Sequence, residues 1–246
     1  MIYKGFDREY VSDNVHLYQG DCMDLLRQTP DNYYELSICD PPYGINAPQM
    51  AATPCQRKNG SKRLNGGSGK LKNRTLNTSN IEWDNLIPDD EYFEELFRVS
   101  KNQIIWGGNY FGLPPTRCVI CWDKVQPWEN FSQIELAWTS FDFPAKLFRF
   151  DNRTGEKIHP TQKPIKLYKW LLENYAKEGD KILDTHGGSM SSCIAAIEYG
   201  YNFTGCEIDL DYFILASKRI EDYIATHPRL FTAKEINNTK QEKLFE

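Results

Sequence analysis

The chain has 246 residues, 40% of them apolar, and a formal net charge of −5. That supports one sizeable α/β core, and no stretch approaches the roughly 20 apolar residues of a membrane span. The acidic balance argues against a generic polyanion binder, and the charged opening MIYKGFDREY lacks the apolar run of a secretory leader, so a cytoplasmic location is expected.

In chain order, NVHLYQGDC reads as a strand running into a turn, and MDLLRQTP as a short helix stopped by Pro30. YYELSIC is a strand that ends on Asp40-Pro41-Pro42-Tyr43. From Gln49 to Asn80 there are seven Lys or Arg and no acid. The stretch is rich in Gly, Asn and Ser, so two readings stand: a solvated linker, or a basic loop that orders on phosphates. PDDEYFEELFRVSK has an acidic first turn and a basic end, which predicts a helix. NQIIWGG, TRCVICWDK and SQIELAWTSF have strand character. KPIKLYKWLLENYAKEGD predicts a helix with Pro164 near its start and Gly179 past its end. DKILDTHGG, SSCIAAIEYG, NFTGCEID and LDYFILASKRIEDYIA then read as strand, helix, strand and closing helix.

Seven cysteines, at 22, 39, 55, 118, 121, 193 and 206, suit free thiols in a reducing compartment. Cys118 and Cys121 form a lone CxxC without a second pair or a histidine at ligand spacing. A strand is therefore expected there, and no metal site.

Strands alternating with helices imply a doubly wound, mostly parallel α/β sheet with ligands beyond the carboxyl ends of its strands. Three strand exits carry polar or glycine residues: Gly20-Asp21-Cys22, Asp40 to Tyr43, and Asp184 to Ser189. In ILDTHGGSMSSCIAAIEYGYNFTGCEID, Gly187 and Gly188 permit close backbone approach to a ligand, and the serines at 189, 191 and 192 open a helix whose free N–H groups attract an anion. Glu207 follows about 20 residues on, where an acid can bind ribose hydroxyls. The spacing breaks the G-x-G-x-x-G of a pyrophosphate site. A nucleoside cofactor without pyrophosphate fits, and S-adenosylmethionine is one.

The DPPY segment suits a flat ring with an exocyclic amine. Asp40, as a carboxylate, can accept an N–H. Pro41 lacks an N–H and Pro42 fixes the backbone, so a carbonyl can face the same amine. Tyr43 offers a stacking face. Two acceptors on one amino group disfavour its planar form and turn its lone pair towards an electrophile.

DPPYG together with HPTQKP, ILDTHGGS and GCEID resembles the amino-methyltransferases of DNA bases, in the order of their β group. IIWGGNYF and CWDK…IELAWTSF resemble the short adenine methyltransferases of phages and prophages. The resemblance spans roughly residues 13 to 225. It implies direct methyl transfer from S-adenosylmethionine to the N6 of adenine in DNA, after the base is flipped out. The N4 of cytosine is the alternative, and a catalytically dead DNA-binding module of the same fold is another. By resemblance, Asp40, Pro41, Pro42 and Tyr43 form the base site. Asp184, Gly188, Ser189 and Ser191 match the cofactor loop, and Glu207 the ribose-binding acid. Asp21 and Cys22 match the segment beside the cofactor adenine. Lys163 begins the helix near the methionine end, and His186 stands where it could cover the cofactor. One methyltransferase domain, 1–246, is expected, with the basic loop at 47–80 and a target-recognition insertion at about 114–152. A homodimer and a separately encoded restriction nuclease are the implied partners. The loop departs from D-P-F-x-G-S-G: Thr185 and His186 replace Pro and Phe, and Met190 replaces the second Gly. A Cβ at 190 is expected to narrow the pocket or shift the turn.

Overall fold

Short apolar runs punctuated by Gly, Pro and Asp become strands, and the amphipathic runs become helices. The computed structural model describes residues 2–12, 14–45, 86–125, 132–151, 157–159 and 161–227. The basic stretch at 47–80 lies outside these residues. The strands are β1 (Arg8–Ser12), β2 (Val15–Gln19), β3 (Tyr34–Cys39), β4 (Ser100–Trp106), β5 (Ile120–Asp123), β6 (Ile134–Thr139), β7 (Lys146–Arg149), β8 (Lys181–Asp184) and β9 (Asn202–Glu207). The helices are α1 (Cys22–Gln28), α2 (Asp90–Val99), α3 (Ile165–Tyr175), α4 (Ser191–Tyr199) and α5 (Leu210–Thr226).

Acidic caps start three of the helices. Asp21 accepts from the Met23 N–H, Asp89 from the Tyr92 N–H, and Asp209 from the N–H groups of Asp211 and Tyr212. Each cap satisfies donors the helix cannot, contributing about 1 kcal/mol.

The strands form one sheet in the order β1-β2-β9-β8-β3-β4-β6-β5-β7. Its centre, β2, β9, β8, β3 and β4, is parallel. Adjacent residues point to opposite faces of a strand. Leu17, Ile104 and Ile182 accordingly join a core with α3, α4 and α5, while Tyr18, Ile105 and Leu183 join a second core with α1 and α2. The doubly wound expectation is met.

Two strands are not foreseen by pattern. β1 pairs antiparallel with β2 at one edge, and β7 pairs parallel with β5 at the other. Each is mostly exposed, so neither carries an apolar stripe of its own. The segment 114–152 supplies β5, β6 and β7, which continue the same sheet through an antiparallel β4–β6 pair.

β3 and β8 are adjacent and parallel, with Leu36 opposite Ile182 and Ser37 opposite Leu183. The chain leaves β3 towards β4 and leaves β8 towards β9, in opposite directions across the sheet. This is the switch point of a doubly wound sheet, where the strand exits leave a crevice. Asp40 and Asp184 stand at its two lips.

Candidate active site

Asp40 follows the last residue of β3 directly. Both its oxygens are engaged: Oδ1 accepts from the Tyr43 hydroxyl at 2.6 Å, and Oδ2 accepts from the Lys163 ammonium. Lys163 precedes α3, and its side chain is only 3% exposed. Its Nζ also lies 3.2 Å from Glu135 Oε2 in β6 and 3.3 Å from the Tyr43 hydroxyl. Burial alone would depress this ammonium, but Asp40 and Glu135 outweigh it and hold the pKa above the ordinary lysine value. Glu135 is half-buried, which would raise its carboxyl, but Lys163 and Lys124 keep its pKa low. Four charges, on Asp40, Lys163, Glu135 and Lys124, thus balance beside the exit of β3. Pro41 is buried and Pro42 half-buried. The Tyr43 ring stacks on Tyr110 with centroids 5.0 Å apart and planes 14° apart.

The exit of β4 shapes this site. Gly107 has φ +70°, and a Cβ there would lie 2.2 Å from a Tyr43 ring carbon. Gly107→Ala is therefore expected to displace Tyr43 from Asp40 and cost about 1–3 kcal/mol of stability. Thermal melting and turnover measure the two effects, and turnover should fall while the glycine turn after β8 keeps its ligand affinity.

That second turn is held from three directions. Asp184, the last residue of β8, accepts from the Ser192 hydroxyl at 2.5 Å and the His186 N–H at 3.1 Å. Burial pushes its carboxyl up to about 7 against those bonds. Glu207, the last residue of β9, accepts from the N–H groups of Gly188 at 2.7 Å and Asp209 at 2.9 Å. Burial raises it to about 6. The Gly20 N–H donates to the Glu207 carbonyl at 3.0 Å, which brings Asp21 and the half-buried Cys22 alongside. His186 sits edge-on to Tyr92, and its Nδ1 lies 2.9 Å from Thr185 Oγ1. Burial lowers its pKa to about 4, so it is neutral at pH 7. Arg219 of α5 donates to the Ser189 carbonyl at 2.6 Å and to Ser191 Oγ at 3.1 Å.

A model of DNA methylases acting on N6 and N4 amines matches residues 57–218, more than half of the chain. The chain belongs to the N6/N4 DNA methylase family. Among curated proteins, this DNA methylase is 22% identical to the type II methyltransferase M2.MboI of Moraxella bovis, over 85% of this chain and 88% of that protein. It is 29% identical to the DNA adenine methyltransferase YhdJ of Escherichia coli K12, over 52% of this chain and 40% of that one. In fold it is similar to the cytosine-N4-specific PvuII DNA methyltransferase, at TM-score 0.55 and 14% identity, covering 89% of this chain and 95% of that one. It is also similar to M1.HpyAVI in complex with S-adenosylmethionine, at TM-score 0.52 and 17% identity, covering 83% and 99%. The family match begins after Tyr43, so the roles of Asp40 to Tyr43 rest on geometry.

S-adenosylmethionine is the methyl donor of this family, and the turn after β8 suits it. Gly188 has φ +50° and carries no Cβ towards the His159 ring. The Glu207 oxygens each accept one backbone bond and retain a lone pair for a ribose hydroxyl. If they do so, cofactor affinity requires ionised Glu207. It is then expected to fall as pH drops through about 6, by up to about tenfold per unit. Calorimetric titration of the methylase with S-adenosylmethionine between about pH 5 and 8 tests this, and Glu207→Gln should remove that step.

Pattern reading missed Glu135, Arg219, Tyr110 and the berth of Lys163. The sign of Glu135 was an acid inside an otherwise apolar strand, IELAWT. The others depend on contacts between distant segments.

Proposed function

We propose that this DNA methylase transfers the methyl group of S-adenosylmethionine to the N6 of adenine in DNA. The observation that carries the reading is the pairing, across one switch point, of an amine-accepting carboxylate with a nucleoside-type glycine turn. S-adenosylmethionine supplies an electrophilic methyl on a sulfonium. Asp40 accepts an N–H of the target amine, so the nitrogen lone pair is freed from the ring. A methyl passing from the sulfonium sulfur to the amine nitrogen would release one amine proton, and Asp40, as the hydrogen-bond acceptor of that amine, would be placed to take it. Tyr43 and Tyr110 are the stacking partners for a base taken out of the duplex at a cost of a few kcal/mol. Tyr110 is 44% exposed, so it can yield to the base at little cost.

Adenine is favoured by the DPPY tetrapeptide and by the likeness to an adenine methyltransferase. The N4 of cytosine is the second reading, favoured by the likeness in fold to a cytosine-N4 enzyme. We assign DNA contacts to the basic stretch at 47–80 and target recognition to about 114–152, within one domain. The type II relative supports a role beside a separately encoded nuclease, and a DNA substrate suits our placement of the protein in the cytoplasm. A homodimer would enlarge the surface offered to a duplex.

Nucleoside mass spectrometry of unmethylated DNA incubated with protein and cofactor tests the reading. N6-methyladenine supports it. N4-methylcytosine keeps the chemistry and changes the base. No methylated base across varied DNA favours a dead binding module.

A further inference from the structure

Both oxygens of the carboxylate that must receive the target amine already accept one hydrogen bond, so an amine taking either of those positions displaces Tyr43 or Lys163. Tyr43 holds one oxygen of Asp40 and Lys163 holds the other. A hydroxyl can turn aside cheaply. An ammonium buried to this degree cannot simply be left unpaired, because an uncompensated buried charge is strongly destabilising. Lys163 therefore needs another partner inside the protein before Oδ2 can be released. Glu135 is that partner: its Oε2 lies 3.2 Å from Nζ. Lys124 pairs with the opposite oxygen, Oε1, so Oε2 is left facing Lys163. The ring of Trp106, 5.2 Å from Nζ, gives the cation a further favourable surface as it shifts.

We propose that Lys163 is a positioning residue that holds Asp40 ready, and that Glu135 is the second berth that takes Lys163 when the target amine enters. The inference rests on the reading of Asp40 as the amine acceptor. It gives Lys163 a role at the base rather than at the cofactor. It also assigns a function to a half-buried acid that reaches Asp40 through Lys163. No covalent step is involved; one charge-assisted hydrogen bond is exchanged for another, and the net charge of the cluster is constant.

The test is a double-mutant cycle on Glu135→Gln and Lys163→Met, with the rate of base methylation and cofactor affinity measured for each variant. Glu135→Gln keeps the shape but weakens the berth, and it is expected to lower kcat by about 10- to 100-fold, with cofactor affinity unchanged. Because Glu135 acts through Lys163, the double variant should lose no more than Lys163→Met alone. Additive losses overturn the proposal. So does a fall in cofactor affinity in either single variant, which would place Lys163 at the cofactor instead. The NMR signal of the Lys163 ammonium is an independent readout. Glu135→Gln should shift it, and an unmoved signal overturns the proposal whether or not DNA is methylated. Methylation of cytosine in place of adenine changes the base assignment, and the cycle then reads the same exchange on that amine.

Discussion

Asp40→Ala is expected to lower methyl transfer by about a thousandfold while cofactor affinity holds. A charge-assisted hydrogen bond is worth roughly 1.5–3 kcal/mol, or about 10- to 150-fold in rate. Loss of alignment at the reacting nitrogen adds up to about another hundredfold. The glycine turn after β8 is built by Asp184, Ser192, Glu207 and Arg219, none of which needs Asp40. Binding of S-adenosylmethionine should therefore survive.

The same variant tests the charge balance beneath the site. Removing one partner of a buried ion pair usually costs about 3–5 kcal/mol, because the other charge is stranded. Here Lys163 keeps Glu135 at 3.2 Å, so a smaller loss, about 1–3 kcal/mol, is expected in thermal melting. Asp40→Asn keeps one acceptor oxygen but turns an NH2 towards one of its two donors, Tyr43 or Lys163. It should fall between alanine and wild type in rate. Near wild-type turnover in Asp40→Ala would sink the assignment of Asp40 as the amine acceptor. Lost cofactor binding in the same variant would show that the two lips of the crevice are not separable.

Much of this architecture is legible from pattern because burial leaves apolar runs or apolar stripes. β3 and β8, buried on both faces, read as short apolar runs, and the closing helix α5 buries Phe213, Ala216 and Ile220 at helical spacing. The exits of β3, β8 and β9 are legible because Pro, Gly and acids stop those runs. β1 and β7 are not, since an edge strand takes its register from its neighbour and needs no apolar stripe. Lys163 is 123 residues from Asp40, and nothing local to HPTQKP states which end of the site it serves. Ser191 likewise reads as a helix-opening serine, whereas Arg219 of α5 occupies its hydroxyl. Such placements follow from the sheet order, which local sequence does not encode.

Met190 carries the remaining departure from the family loop, and stability measurements decide what it costs. It stands at the N-cap of α4 with φ 53° and ψ 36°, the left-handed region that a glycine enters freely. For a residue with a Cβ that conformation costs about 1–2 kcal/mol. The side chain offsets it by burial. Met190 is fully buried, within the core formed by α3, α4 and α5. Two glycines make the room: a Cβ on Gly187 would lie 2.1 Å from the Met190 methyl, and one on Gly205 would lie 3.1 Å from its sulfur. The turn thus keeps the backbone of a glycine loop and sends the extra side chain into the core. Deleting a buried Met side chain costs about 2–5 kcal/mol. Met190→Gly relieves the strain but opens the cavity, so a net loss of up to about 4 kcal/mol is expected. Met190→Ala keeps the strain and opens nearly the same cavity, so it should be less stable than Met190→Gly by about 1 kcal/mol. Melting of the three proteins gives the order, wild type above glycine above alanine. A glycine variant more stable than wild type would mean that strain outweighs packing. A glycine variant that binds S-adenosylmethionine markedly tighter would mean that the Cβ at 190 does narrow the pocket.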